Sequence, residues 1–229
     1  IGYSPDGVPL KENERMSEKT RPKATGLTDT ASEYTFKEAV SRPAFWIVIY
    51  VSIVFMFSVT MVSTHVMPYL EEIGYSRYTA SIVAMMIPAT SIGGRLAIGW
   101  VSDFLSRRIL LILMVVGQVI GVVLFLYVHL SYLMIPFVIF FGVSYGGIVI
   151  LRPAILRDYY GSIHIGSLIG LLMGLSSIGG IFGSLVGGWV FDTTGSYSPA
   201  LIASGLLLLS GAPLVLIMKK PQAKEKEHV

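Results

Sequence analysis

Arg95 stands in the run Ser91-Ile92-Gly93-Gly94-Arg95-Leu96-Ala97-Ile98-Gly99-Trp100, one guanidinium among small and apolar side chains. A charge at the centre of a membrane-crossing helix costs at least about 2.5 kcal/mol, so such an arginine must face a partner, water or an anionic ligand. Its planar fork of donors matches a carboxylate in a bidentate pair. Eight residues further on, Asp103 opens a turn that closes on Arg107 and Arg108, which puts Arg95 about 12 Å inside the helix end at about 1.5 Å of rise per residue. The segment therefore carries two kinds of chemistry, an anion hook within a helix and an acid with two bases at its end. Each has a plainer reading: Arg95 as a structural arginine snorkelling to the interface, and the basic turn as a topogenic loop.

The same depth, counted inward on other apolar stretches, selects Tyr50, Tyr145 and the pair Ser176-Ser177. Hydroxyls set in apolar walls would suit a small carboxylate, although each position also reads as ordinary helix packing. Tyr145 lies between Gly142 and Gly146, which give its helix room for close approach. Ala84, Pro88, Ser91 and Gly94 fall with Arg95 on one helix face at spacings of three and four. His65, near the far end of its stretch, titrates near neutral pH and reads either as a gating group or as an interfacial side chain. His129, His164 and His228 form no ligand cluster and the chain has no cysteine, so neither metal, cofactor nor disulfide is expected. Gly142-Val143-Ser144-Tyr145-Gly146 fits the nucleophile pattern G-x-S-x-G, but inside an apolar helix with no base it is coincidental. Without paired carboxylates or an activated nucleophile, an enzyme is not expected.

The elements that must hold these groups follow from composition. The chain is 53% hydrophobic and 14% charged, against about 25% charged for a soluble globule. Six apolar stretches, at about 44–68, 78–102, 109–128, 132–151, 163–190 and 199–218, each approach the ~20 residues a helix needs to span a bilayer. The spacing predicts an all-α membrane protein of six transmembrane helices within 43–218. Pro68, Gly74, Ser131, Gly161 and Gly195 mark the connections, and the turns are short enough for antiparallel neighbours. Residues 1–36, with Pro5, Pro9, Pro22 and alternating charges, read as a mostly disordered linker. Residues 37–42 read as an interfacial amphipathic helix, and 219–229 as a tail. Fifteen of the 17 lysines and arginines fall in the linker, the tail and the loops holding Arg107-Arg108 and Arg152-Arg157, which assigns both termini to the cytoplasm. Glycines at 166, 170, 174 and at 179, 183, 187 form two runs of the spacing that brings membrane helices together.

The turn Gly99-Trp100-Val101-Ser102-Asp103-Phe104-Leu105-Ser106-Arg107-Arg108 resembles the G-x-x-x-D-[RK]-x-G-R-[RK] loop of the major facilitator superfamily, with Phe104 and Ser106 departing from it. Phe45-Trp46 with His65-Val66-Met67-Pro68-Tyr69-Leu70, and Tyr159-Tyr160-Gly161 before the glycine-rich span ending Gly187-Gly188-Trp189-Val190-Phe191-Asp192, extend the resemblance over most of 36–218. Together they are similar to the C-terminal half of monocarboxylate-porter or oxalate:formate-antiporter-like carriers. The resemblance implies a fold of twelve helices in two halves, of which this chain supplies one half and the central linker. It opens with Ile1, which fits that reading. In such carriers an arginine of the eighth span holds the substrate carboxylate, and Arg95 occupies the matching place in Gly94-Arg95-x-x-x-Gly99. Related proton-coupled carriers place an aspartate where Ser91 stands, which puts proton coupling in doubt. Oxalate:formate antiporters add a lysine in the eleventh span, and 163–190 contains none.

The expectation is therefore the C-terminal half of a secondary carrier in the plasma or inner membrane. It would move a small organic anion, a monocarboxylate by resemblance, through alternating access. Its partners would be the carboxylate substrate, the N-terminal six-helix half and the bilayer, with no nucleic acid. Gly99, Asp103, Arg107, Arg108 and Asp158 would form a conformational latch, with Asp158 paired to Arg107. A carrier-fold sensor that binds an anion without moving it is the alternative.

Overall fold

The computed structural model describes residues 34–219. A short helix α1 (Phe36–Val40) is opened by a capping box: the Thr35 hydroxyl accepts from the Glu38 amide, and the Thr35 amide donates to Glu38 at 3.0 Å. This arrangement satisfies two of the amides that a helix start leaves bare. The Trp46 indole donates to the Val40 carbonyl at 2.9 Å, tying α1 to the helix after it. Six long helices follow: α2 (Pro43–Glu72), α3 (Arg77–Val101), α4 (Arg107–Leu126), α5 (Met134–Tyr160), α6 (Ile165–Thr194) and α7 (Ser198–Ile217). All six are long and apolar enough to cross a membrane. A 3₁₀ turn, Ser131–Leu133, leads into α5.

Three helices overrun the sequence-based limits. Helix α2 passes through Pro68 and runs on to Glu72, where Gly74 turns the chain at a φ of 95°. Helix α5, expected to stop at 151, runs through Arg152, Pro153 and Arg157 to Tyr160, and α6, expected to end at 190, reaches Thr194. A proline removes one hydrogen bond and crowds one carbonyl, a local loss that membrane helices tolerate when neighbours cover the freed group. Beyond Pro68 the residues Tyr69 and Leu70 are buried, as are Ile155, Leu156, Tyr159 and Tyr160 beyond Pro153. Packing thus carries both helices past their breakers. As a result Arg152 and Arg157 are helical residues, and the basic-loop argument does not rest on Arg152.

Packing pairs α2 with α6, α3 with α5, α4 with both α5 and α7, and α2 with α7. The two glycine runs of α6 have different surroundings. A Cβ at Gly179 or Gly183 would strike the Ile53 or Phe57 carbonyl of α2, whereas Gly166, Gly170 and Gly174 have nothing within 4 Å. Buried Phe125, Phe137 and Phe141 knit α4 to α5, with Phe125 and Phe137 stacked at 4.6 Å. Leu96, Trp100, Ile135 and Leu185 stand mostly exposed on the outside, an apolar exterior suited to lipid or to a further helix layer rather than to water.

Candidate anion site

The seam between α3 and α5 fixes Arg95. A Cβ on Gly94 would lie 2.5 Å from the Val143 carbonyl oxygen and 2.7 Å from its Cα, so the two backbones touch there. Across the seam, a Cβ on Gly146 would strike the Ser91 carbonyl and lie 2.9 Å from the Arg95 amide nitrogen. Only glycine allows this approach, and it seats the Arg95 backbone directly against the residue that follows Tyr145. The Arg95 side chain is exposed and has no hydrogen bond or ion pair among the described residues. Tyr145 is half-buried, with its ring 5.9 Å from that of Phe55 on α2.

The other hydroxyls do not gather around this pair. Ser91 is 1% exposed and donates to the Pro88 carbonyl at 2.8 Å, inside the seam rather than on the open surface beside Arg95. Tyr50 shares a 2.6 Å hydrogen bond with Ser210 of α7. Ser176 is buried and donates to the Leu172 carbonyl at 2.6 Å, while the exposed Ser177 donates to the Met173 carbonyl at 2.9 Å. A serine that bonds the carbonyl three or four residues back is satisfied by its own helix. The structure therefore sets the Arg95 backbone against Gly146, the neighbour of Tyr145, turns the Ser91 hydroxyl into the same seam, and places Tyr50 and Ser176 in other seams.

A second cation lies deeper. Arg152 is 8% exposed, its guanidinium carbon 4.6 Å from the Phe55 ring centroid, and its Nε donates to the Ile148 carbonyl at 3.3 Å. No carboxylate pairs with it among the described residues. Taking an ion out of water costs several kcal/mol even after relaxation, while a desolvated cation–π contact returns about 2 kcal/mol. One long hydrogen bond does not close that gap. Sequence reasoning missed this residue because it ended the span at 151 and placed Arg152 in a basic loop; the signal that could have found it is the apolar run Ala154-Ile155-Leu156 beyond Pro153.

At the end of the bundle bearing the double arginine, three helix ends are tied together. Arg107 Nη1 lies 2.5 Å from Asp158 Oδ1, joining the start of α4 to the last turn of α5. Arg108 donates through Nε to the Val215 carbonyl at 2.9 Å and through Nη2 to the Leu216 carbonyl. It thereby satisfies carbonyls that the end of α7 leaves free. Asp103 is exposed and has no pair among the described residues, and a Cβ on Gly99 would meet only the Ile150 side chain, at 3.7 Å. At the opposite end His65 donates from Nε2 to the Ser184 carbonyl at 3.0 Å, its ring filling the space that a Cβ on Gly187 would take. Tyr197 packs on it at 5.0 Å and on Phe191 at 4.3 Å. Burial pushes the Tyr197 phenol up, with the negative charges of Glu72 and Asp192 adding to the effect.

The family model described as Major Facilitator Superfamily matches residues 3–160 and again residues 94–228. Monocarboxylate transporter 12 of Xenopus laevis is 31% identical over 206 residues, covering 85% of this chain and 44% of that protein. Monocarboxylate transporter 13 of Rattus norvegicus is 23% identical over 156 residues, 67% of this chain and 36% of that protein. The uncharacterized MFS-type transporter YcxA of Bacillus subtilis is 29% identical over 182 residues, 75% of this chain and 44% of that protein. The chain thus spans less than half the length of these relatives.

Proposed function

This chain, a multi-pass membrane protein, belongs to the Major Facilitator Superfamily of transporters, and from that premise we propose that it is the C-terminal half of a secondary carrier for a small organic anion, a monocarboxylate first of all. The observation that carries the reading is Arg95, an exposed guanidinium with no partner among the described residues, six residues inside the end of an apolar helix, with Gly146, the neighbour of Tyr145, against its backbone. Arg95 holds the carboxylate and Tyr145 supplies a hydroxyl. Tyr50, Ser91, Ser176 and Ser177, each bonded to a partner within the bundle, support the helices around it.

A carrier of this kind works by alternating access, one half rocking on the other around a site near the midplane. The N-terminal six-helix half supplies the facing wall, and both termini of this segment lie in the cytoplasm of a plasma or inner membrane. Gly99, Asp103, Arg107, Arg108 and Asp158 form the cytoplasmic latch. Within it the Arg107–Asp158 pair and the Arg108 cap hold α4, α5 and α7 as one body, and exposed Asp103 is left to engage the other half. His65 straps α2 to α6 at the outer end, where gating takes place.

The test is counterflow of labelled lactate in proteoliposomes made with the full-length protein. Wild type accumulates label, and Arg95→Ala loses at least about tenfold in apparent affinity, the worth of a charge-assisted hydrogen bond of about 1.5–3 kcal/mol. Counterflow indifferent to Arg95→Ala would remove its binding role.

A further inference from the structure

We propose that Arg152 is a second carboxylate-binding position on the same path, displaced from Arg95 toward the end of the bundle that carries Arg107 and Arg108. The inference rests on the carboxylate reading of Arg95 and extends it to a buried residue with no acid among the described residues. The register of α3 on α5 sets the spacing: Gly94 meets Val143, the Arg95 amide meets Gly146, and Ile98 meets Gly147. Both helices run toward the basic end. Arg95 is therefore level with residues 146–147, and Arg152 lies five to six residues further along, about 8 Å at the helical rise.

Phe55 links the two levels. Its ring lies against Tyr145 at 5.9 Å and beneath the Arg152 guanidinium at 4.6 Å. Tyr145 and Arg152 are seven residues apart on α5, two turns along one helix face. Tyr145, Phe55 and Arg152 thus form one contiguous set, in which the fully buried Phe55 ring fixes the hydroxyl and the second guanidinium relative to each other.

The contrast with the other arginines points to an anion. Arg107 has Asp158, Arg108 has two helix-end carbonyls, and Arg77 lies 3.9 Å from Glu71. Arg95 and Arg152, the two arginines deepest within their helices, have no acid among the described residues. Among the described residues only Nε of Arg152 is bonded, to a carbonyl at 3.3 Å, and both terminal nitrogens remain free to donate. A buried guanidinium with its bidentate edge unused is built for a planar oxyanion. That carboxylate belongs either to the substrate or to an acidic side chain of the remaining polypeptide.

The experiment measures lactate affinity, lactate counterflow and thermal midpoint on the full-length protein in lipid nanodiscs and proteoliposomes, for wild type, Arg152→Lys, Arg152→Gln and Arg152→Met. If the substrate is the source, Arg152→Gln weakens lactate binding about tenfold or more and Arg152→Lys recovers part of it. If an acidic side chain is the source, lactate affinity is kept, while Arg152→Met lowers the thermal midpoint and slows counterflow about tenfold because a carboxylate has lost its cation. Both results support the proposal. It is overturned if Arg152→Met binds and exchanges lactate like wild type with an equal or higher thermal midpoint, as expected when an unpaired charge is simply removed. Should the uncharged variants not fold, Arg152→Lys decides: unchanged affinity, exchange and thermal midpoint overturn the proposal, because a lysine cannot replace a bidentate fork. Wild type that neither binds nor exchanges lactate defeats the Arg95 reading instead, and the thermal midpoint of Arg152→Met still tests the acidic side-chain pairing.

Discussion

Gly93 and Gly94 are neighbours on α3, and replacing each in turn by alanine makes the same chemical change in opposite surroundings. An added Cβ at Gly93 meets nothing within 4 Å, whereas at Gly94 it would lie 2.5 Å from the Val143 carbonyl oxygen, 2.7 Å from its Cα and 3.0 Å from its carbonyl carbon. Carbon atoms rest at about 3.5–4.0 Å, so α3 must move away from α5 by about 1 Å. All three obstructing atoms are backbone and cannot rotate aside. Overpacking of this kind costs about 1–3 kcal/mol, against a helix-propensity gain of up to about 1 kcal/mol for replacing glycine by alanine. Gly93→Ala should therefore be neutral or slightly stabilising, and Gly94→Ala should lower the thermal midpoint of the full-length protein by several degrees. Because Arg95 is the next residue, the displacement should also raise KM for lactate about fivefold or more, equivalent to about 1 kcal/mol of lost binding. The assay is thermal unfolding in detergent paired with counterflow in proteoliposomes. If the two variants match in both midpoint and KM, the seam does not position Arg95 and the reasoning fails.

The Arg107–Asp158 pair is 31% and 40% exposed on its two side chains, so a double-mutant cycle to alanine should return a coupling of only about 0.2–1 kcal/mol in thermal stability; several kcal/mol would mean that the pair is shielded from water in the working protein. Exchanging the two residues, Arg107→Asp with Asp158→Arg, should restore most of any transport lost in the single variants, and a swap no better than either single change would deny that pairing is their task. His65→Ala removes the bond to the Ser184 carbonyl and opens a hole over Gly187, and should cost about 1–3 kcal/mol by chemical or thermal unfolding. Adding Gly187→Ala to it should recover part of that loss, whereas Gly187→Ala alone should destabilise by driving a methyl into the imidazole; additive losses in the double variant would show that the ring does not fill this seam.

The six spans and the depth of Arg95 were legible in the sequence because apolar length and distance along a helix are one-dimensional quantities. Facing is not. Ser91 and Ser176 stand at plausible depth, yet each hydroxyl bonds a carbonyl of its own helix and lies buried in a seam. Nothing in the spacing of serines separates that state from one in which the hydroxyl awaits a ligand. The close approach at the level of Tyr145 was legible for a structural reason: Gly142 and Gly146 bracket it, and a Cβ on either would strike α3. The prolines misled in the other direction. Pro68 and Pro153 carry the signature of helix ends, but the side chains beyond them are apolar and buried, and their burial outweighs one missing hydrogen bond.

Ending the fourth span at 151 concealed the second cation. Once Pro153 is a helix-interior residue, Arg152 moves from a wet loop to the inside of a span, and the meaning of its charge reverses. In a loop an unpaired arginine needs no explanation, since water solvates it. Over the Phe55 ring, with one long bond to Ile148 and 8% of its surface exposed, it must be compensated or it destabilises the bundle it is part of. Asp158, six residues further along the same helix, pairs with Arg107 at the helix ends instead. An acid fixed permanently to Arg152 would close that position to any other carboxylate. Its absence among the described residues is what the proposed second carboxylate position requires of this half.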